Sequence, residues 1–206
     1  MTTSGDADEG RPERSDHLDR RQIVEAGYRG DTATALAGLS SEDPSLRRYA
    51  LGALDRLGVL TEDQLTAALG DPDHRVRHRA TELAARYPTV HLAVALDDDH
   101  PSVIETAAWA CGEHSTVPDP ILDRLIALTS HDDALVRESA VAALGAIGDE
   151  RGRPAILAAL NDRASVRRRA VLALAPFDGP DIDAALERAL TDRDWQVRQG
   201  AEDIKF

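Results

Sequence analysis

The chain has 206 residues, 42% of them hydrophobic but only 3% aromatic, so its interior has to be built from Ala, Leu, Val and Ile, which suits closely packed helices better than a large ligand cavity. With 37 acidic against 24 basic residues the formal net charge is −13, a field that works against nucleic acid and anionic membranes as partners. Cys111 is the single cysteine, which excludes an internal disulfide framework and fits a reducing cytoplasm, and no run of about 18 apolar residues is present to span a bilayer.

Residues 1–17 are rich in Asp, Glu, Arg, Ser and Gly, lack the apolar stretch of a secretory signal, and are expected to form a disordered polar tail. Leu18–Tyr28 reads as a helix that caps the otherwise exposed end of a repeat array. Beyond it a unit recurs six times at intervals of roughly 30 residues. Each unit opens with a short amphipathic segment: Ala33–Leu39, Glu62–Leu69, Val90–Leu96, Ile121–Leu128, Pro154–Leu160 and Ile182–Leu190. Asp-rich turns such as Ser41–Pro44, Asp71–Asp73 and Asp97–Pro101 lead from these into second helices of about fourteen residues.

The second helices share one signature. A branched anchor (Leu46, Val76, Val103, Val136, Val166 or Val197) is followed four residues later by alanine (Ala50, Ala80, Ala107, Ala140, Ala170 or Ala201). Leu54, Ala84, Cys111, Leu144 and Leu174 continue the stripe one further turn, and an apolar stripe at this spacing is a seam against neighbouring helices. Three residues before the anchor stand Asp43, Asp73, His100, Asp133 and Asp194, which read as N-caps, with Pro44 and Pro101 at the first helical position. Gly58, Pro88, Gly148 and Gly179 read as helix stops. A period of this size means stacked units, each covering the apolar face of the one before.

Segments such as Asp132–Asp149 (DDALVRESAVAALGAIGD) and Asp192–Ala201 (DRDWQVRQGA) resemble HEAT repeats, in particular the short class named after phycobilin lyases, and the resemblance runs from Asp31 to Phe206. It implies an all-α fold: a right-handed α-solenoid, or superhelix, of about six HEAT-like helix pairs over residues 18–206, with an N-terminal capping helix. It also implies a ladder between successive repeats, in which Asp73, Asp133 and Asp194 pair with the arginines that follow the anchors, Arg47, Arg77, Arg137, Arg167 and Arg198. Bidentate arginine–carboxylate pairs suit such half-buried seams. Repeat three has Ile104 in the arginine's place.

For function, the resemblance implies a non-catalytic scaffold or adaptor that binds a partner in a concave groove. A bilin-lyase-like or assembly-factor subunit is one alternative and a nucleic-acid backbone binder is another. The candidate groove residues are Arg48, His78, Arg79, Glu105, Trp109, Arg168 and Arg169. Arginine clusters can take an acidic or phosphate-bearing protein segment, and an exposed tryptophan can anchor one; a solvated helix face and a space-filling Trp109 are the competing readings. No cofactor or metal is expected, because His74 and His78 have helical i, i+4 spacing but no carboxylate or cysteine pattern completes a coordination shell. No phosphate loop, GxSxG elbow or CxxC pair is present to suggest an enzyme. The expectation is a cytoplasmic protein with a protein partner, and the sequence leaves its oligomeric state open.

Overall fold

Short polar residues set the helix starts. In the structure, a computed structural model that describes residues 18–114 and 116–205, the carboxylates of Asp43, Asp73 and Asp133 accept the backbone N–H two residues on at 2.7, 2.9 and 2.8 Å. Each thereby satisfies a donor that the first helical turn leaves unpaired. His100 does the same less well, its Nδ1 lying 3.3 Å from the amide of Ser102. Gly58 and Gly148 end their helices in the left-handed conformation, at φ +68° and +69°. The tail expected at residues 1–17 lies outside the described residues.

The described residues form thirteen α-helices and no strand: α1 Arg20–Arg29, α2 Thr32–Leu39, α3 Pro44–Leu57, α4 Glu62–Leu69, α5 His74–Ala84, α6 Ala93–Leu96, α7 Pro101–Gly112, α8 Asp119–Leu128, α9 Ala134–Ile147, α10 Arg153–Ala159, α11 Ala164–Ala173, α12 Pro180–Ala189 and α13 Trp195–Lys205. After α1, six pairs follow in order, α2 with α3 through α12 with α13. The second helices pack in one continuous row, α1, α3, α5, α7, α9, α11, α13, and the first helices form a second layer, each against its own partner. The main packing among the described helices is between near neighbours along the chain, the arrangement of an α-solenoid.

The seam lies where the repeat places it. All six alanines four residues past the anchors are fully buried, as are the anchors from Val76 onward and Leu54, Ala84, Leu144 and Leu174. Alanine at the contact lets second helices approach closely along the row. Three expectations need correction. The first helix of repeat three shrinks to the single turn Ala93–Leu96, and Leu92 at its start offers no capping side chain; Val90 and Leu92 are nevertheless buried. The second helices vary from 10 to 14 residues, with α5 ending at Ala84, well before Pro88. Gly179 is not a stop but the N-cap of α12, at φ +129°.

The ladder exists, with different carboxylates. Asp73 and Asp133 cap their own helices, and the amide of Gln196 likewise donates to Asp194. The arginines reach past them: Arg47 grips Asp71 through Nε and Nη2 at 2.7 and 2.6 Å, Arg77 grips Asp98 at 2.6 and 2.8 Å, Arg137 grips Asp162 at 2.7 and 2.8 Å, and Arg167 grips Asp192 at 2.9 and 2.8 Å. The third nitrogen of each guanidinium donates to carbonyls of its own turn, as Arg137 Nη1 does to His131 and Asp132 at 2.8 and 2.9 Å. Each arginine therefore pins its own turn to the next one, and the fork geometry of guanidinium is what allows both at once. Arg198 makes the local half of this pattern, donating to the Asp192 carbonyl at 2.7 Å. Ile104 is buried, and His131 occupies the turn where the rung to repeat four would find its carboxylate.

Replacing Arg137 with alanine is expected to lower stability by about 2 kcal/mol, since it strands the half-buried Asp162 and the carbonyls of the turn. Urea unfolding followed by helicity measures it, and an unchanged midpoint would contradict the rung. Acid should weaken all rungs together. For Asp71 and Asp98 burial is the largest influence and raises the carboxyl, yet the arginine bonds and the amides of Asp73 and His100 outweigh it; for Asp162 and Asp192 the arginine bond dominates. All four are held below the usual carboxylate range, so the unfolded chain binds more protons. Their stabilisation is complete above about pH 4 and is lost as pH falls through the folded values. The thermal midpoint should drop on acidification below that pH; a flat profile to pH 3 would count against these pairs.

Candidate partner-binding groove

A groove of about 610 Å³ opens across the second-helix row at its first repeats, lined by residues of α1, α3 and α5 and by Ser102 at the start of α7. Among the described residues five arginines line it, Arg20, Arg48, Arg56, Arg75 and Arg79, with His74 and His78 beside them and Glu82 as the one carboxylate. This is a local reversal of the −13 carried by the whole chain.

Each side chain has an identifiable support. Arg20 of α1 and Arg48 of α3 both lie over the Tyr49 ring, at 4.5 and 5.0 Å from its centre, and Arg48 Nη2 also donates to the Tyr49 hydroxyl at 3.1 Å. Arg56 lies over Tyr28 at 4.3 Å. Aromatic faces hold guanidinium groups by charge and dispersion without neutralising them. Among the described residues these three arginines have no carboxylate within ion-pair distance, whereas Arg75 pairs with Asp73 and Arg79 with Glu82, each at 2.8 Å. His74 stacks on His100, ring centres 3.9 Å apart and nearly parallel, and His78 Nε2 lies 3.1 Å from the Thr106 hydroxyl.

Of the residues singled out in the sequence, Arg48, His78 and Arg79 come together here. Arg20, Tyr49, Gly52 and Arg56 are groove residues that sequence reasoning missed. The signal was present in α3, where Arg48, Gly52 and Arg56 stand at i, i+4 and i+8 on one face.

Comparison with known proteins places the chain. A family model for HEAT repeats matches residues 88–175. The uncharacterized phycocyanin operon protein Z of Pseudanabaena tenuis (strain PCC 7409) is 31% identical over 160 residues, covering 69% of this chain and 78% of that one. The chain belongs to the HEAT-repeat family. Its repeats are of the short, phycobilin-lyase type. Crystal structures of two engineered proteins share the fold: one with TM-score 0.63 and 21% identity, covering 85% of this chain and 98% of its own, the other with TM-score 0.59 and 20% identity, covering 84% and 94%.

Elsewhere on this HEAT-repeat protein the remaining candidates are spread along the row. Glu105 and Trp109 sit on α7, outside the groove; Trp109 is 44% exposed, so it does not fill space in the seam. Arg168 and Arg169 lie on α11, apart from the first cluster, and are engaged: Arg168 with Asp194 at 3.0 Å and Arg169 with Glu138 at 3.7 Å. The second arginine cluster is thus largely neutralised by its neighbours. No described helix of the HEAT array is long and apolar enough to cross a membrane. Cys111 is buried in the seam, and burial pushes its thiol up to about 12. A thiol reagent at neutral pH is expected to leave it untouched in the folded protein and to titrate it fully in denaturant; rapid native labelling would show that repeat three opens.

Proposed function

We propose that this HEAT-repeat protein is a non-catalytic scaffold or adaptor of the cytoplasm that holds a partner protein along its row of second helices. The observation that supports the reading is the groove over α1, α3 and α5, where Arg20, Arg48 and Arg56 are held on aromatic rings without carboxylate partners among the described residues. Arginines held on aromatic faces of packed helices are suited to an acidic partner, and packed helices keep the ordering cost of binding low. The test is co-purification from the source cells with wild type, Arg48→Glu in the groove and Asp63→Arg on α4 in the other layer. The reading expects a stoichiometric partner that Arg48→Glu loses and Asp63→Arg keeps; the reverse pattern would overturn it.

Kinship with a phycocyanin operon protein favours a second reading, a lyase-like or assembly-factor subunit. Saturable binding of an open-chain tetrapyrrole by the purified chain would support that reading over the scaffold. A nucleic-acid role would instead show as duplex binding with a steep salt dependence, which the net charge opposes.

A further inference from the structure

Resting on the groove reading above, we infer that the partner segment seated there is an extended, acidic stretch of polypeptide with Asp or Glu at alternate positions. Register is what selects it. Arg48, Gly52 and Arg56 occupy successive turns of one face of α3, so their backbone positions step by about 6 Å. Each step carries a guanidinium. At the first, Arg48 and Arg20 share the Tyr49 ring. At the second, Arg79 reaches over from α5 and lies on Gly52, where an added Cβ would stand 3.0 Å from its Nη2; its Nη1 is shared with Glu82, so this position is the weakest of the three. At the third, Arg56 lies over Tyr28.

An extended chain puts every second side chain on the same face, about 6.6 Å apart. Alternate carboxylates on a segment running along α3 therefore stay in step with the three cationic positions, each within reach of flexible arginine stems. Val24 adds an apolar patch to the lining beside the charges. The three cationic positions form a line rather than converging on a point, so a lone phosphate could satisfy only one of them. A single nucleic-acid strand is the competing occupant, and the net charge of −13 opposes it.

The test uses the full chain and two labelled peptides of equal length and charge, one alternating Glu with Ser, the other arranged as Glu-Glu-Ser-Ser repeats, with oligo-dT as a third probe. Fluorescence anisotropy should show the alternating peptide binding about tenfold tighter than the paired one, with Arg48→Glu and Arg56→Glu each weakening it by about tenfold or more and Arg168→Glu leaving it unchanged. Circular dichroism of the variants confirms that the helices persist. Equal binding of the two peptides, or tighter binding of oligo-dT, overturns the alternating acidic segment. If neither peptide binds while Arg48→Glu still releases the co-purified partner, the acidic segment is wrong and the groove stands. If that partner is retained by Arg48→Glu, the groove reading itself has failed.

Discussion

Val136→Asp is expected to destabilise the array by about 4 kcal/mol or more. Val136 is fully buried on α9, which packs against α7, α8, α10 and α11. Ala140 and Leu144 continue the same buried stripe, so a carboxylate at 136 has no water and no apolar-to-polar boundary to turn toward. The adjacent Arg137 cannot rescue it, because all three of its guanidinium nitrogens are bound, to Asp162 and to the carbonyls of His131 and Asp132. Val136→Ala is the control for lost volume and should cost about 2 kcal/mol. In a nearest-neighbour array a defect in repeat four uncouples the repeats on either side, so urea unfolding should shift to lower midpoint and split into two phases. A single transition at the wild-type midpoint would mean that α9 does not present this face to the seam.

The seam is readable in the sequence because burial in a solenoid is periodic: the same residue type meets the same neighbour in every repeat, and Ala50 through Ala201 are buried without exception. Caps are readable for a similar reason, since a helix start needs only a local acceptor. The ladder is misread because aspartate recurs both as the cap and earlier in the turn, and only the fold shows which one faces the preceding repeat. Asp71, Asp98 and Asp192 also accept the amide of the cap residue two positions on, and this fixes them toward the incoming arginine. The sequence does hold one clue. The repeat that loses its arginine, at Ile104, is followed by a turn that keeps the cap Asp133 but has His131 where the rung carboxylate would stand. The groove is half legible: Arg48, His78 and Arg79 follow from the repeat register, but Arg20 belongs to a helix outside that register, and only three-dimensional packing sets it on Tyr49.

Gly145→Ala is expected to destabilise the protein by about 3 kcal/mol, against the sign that helix propensity alone would give. In an exposed helix interior, glycine to alanine gains up to about 1 kcal/mol by restricting the unfolded chain and favouring the helix. At Gly145 the added methyl would stand 2.6 Å from both Cα and Cβ of Ala173 and 3.0 Å from its carbonyl oxygen. Those atoms belong to backbone or to a side chain with no rotamer to change, so the only relief is to push α11 away from α9. That movement would also strain the Arg137–Asp162 rung between the same repeats. Glycine meets alanine in this way elsewhere along the row, with Gly27 against Ala53 and Gly112 against Ala143, and Gly145 is the tightest of the three. Gly70, the C-cap of α4, where an added Cβ would meet nothing closer than 3.6 Å, is an uncrowded control and should be near neutral as alanine. Ala173→Gly removes only the Cβ contact and leaves Cα and the carbonyl oxygen in place, so combined with Gly145→Ala it should restore a small part of the lost stability. A Gly145→Ala variant that unfolds at the wild-type midpoint would show that α9 and α11 do not depend on that close approach.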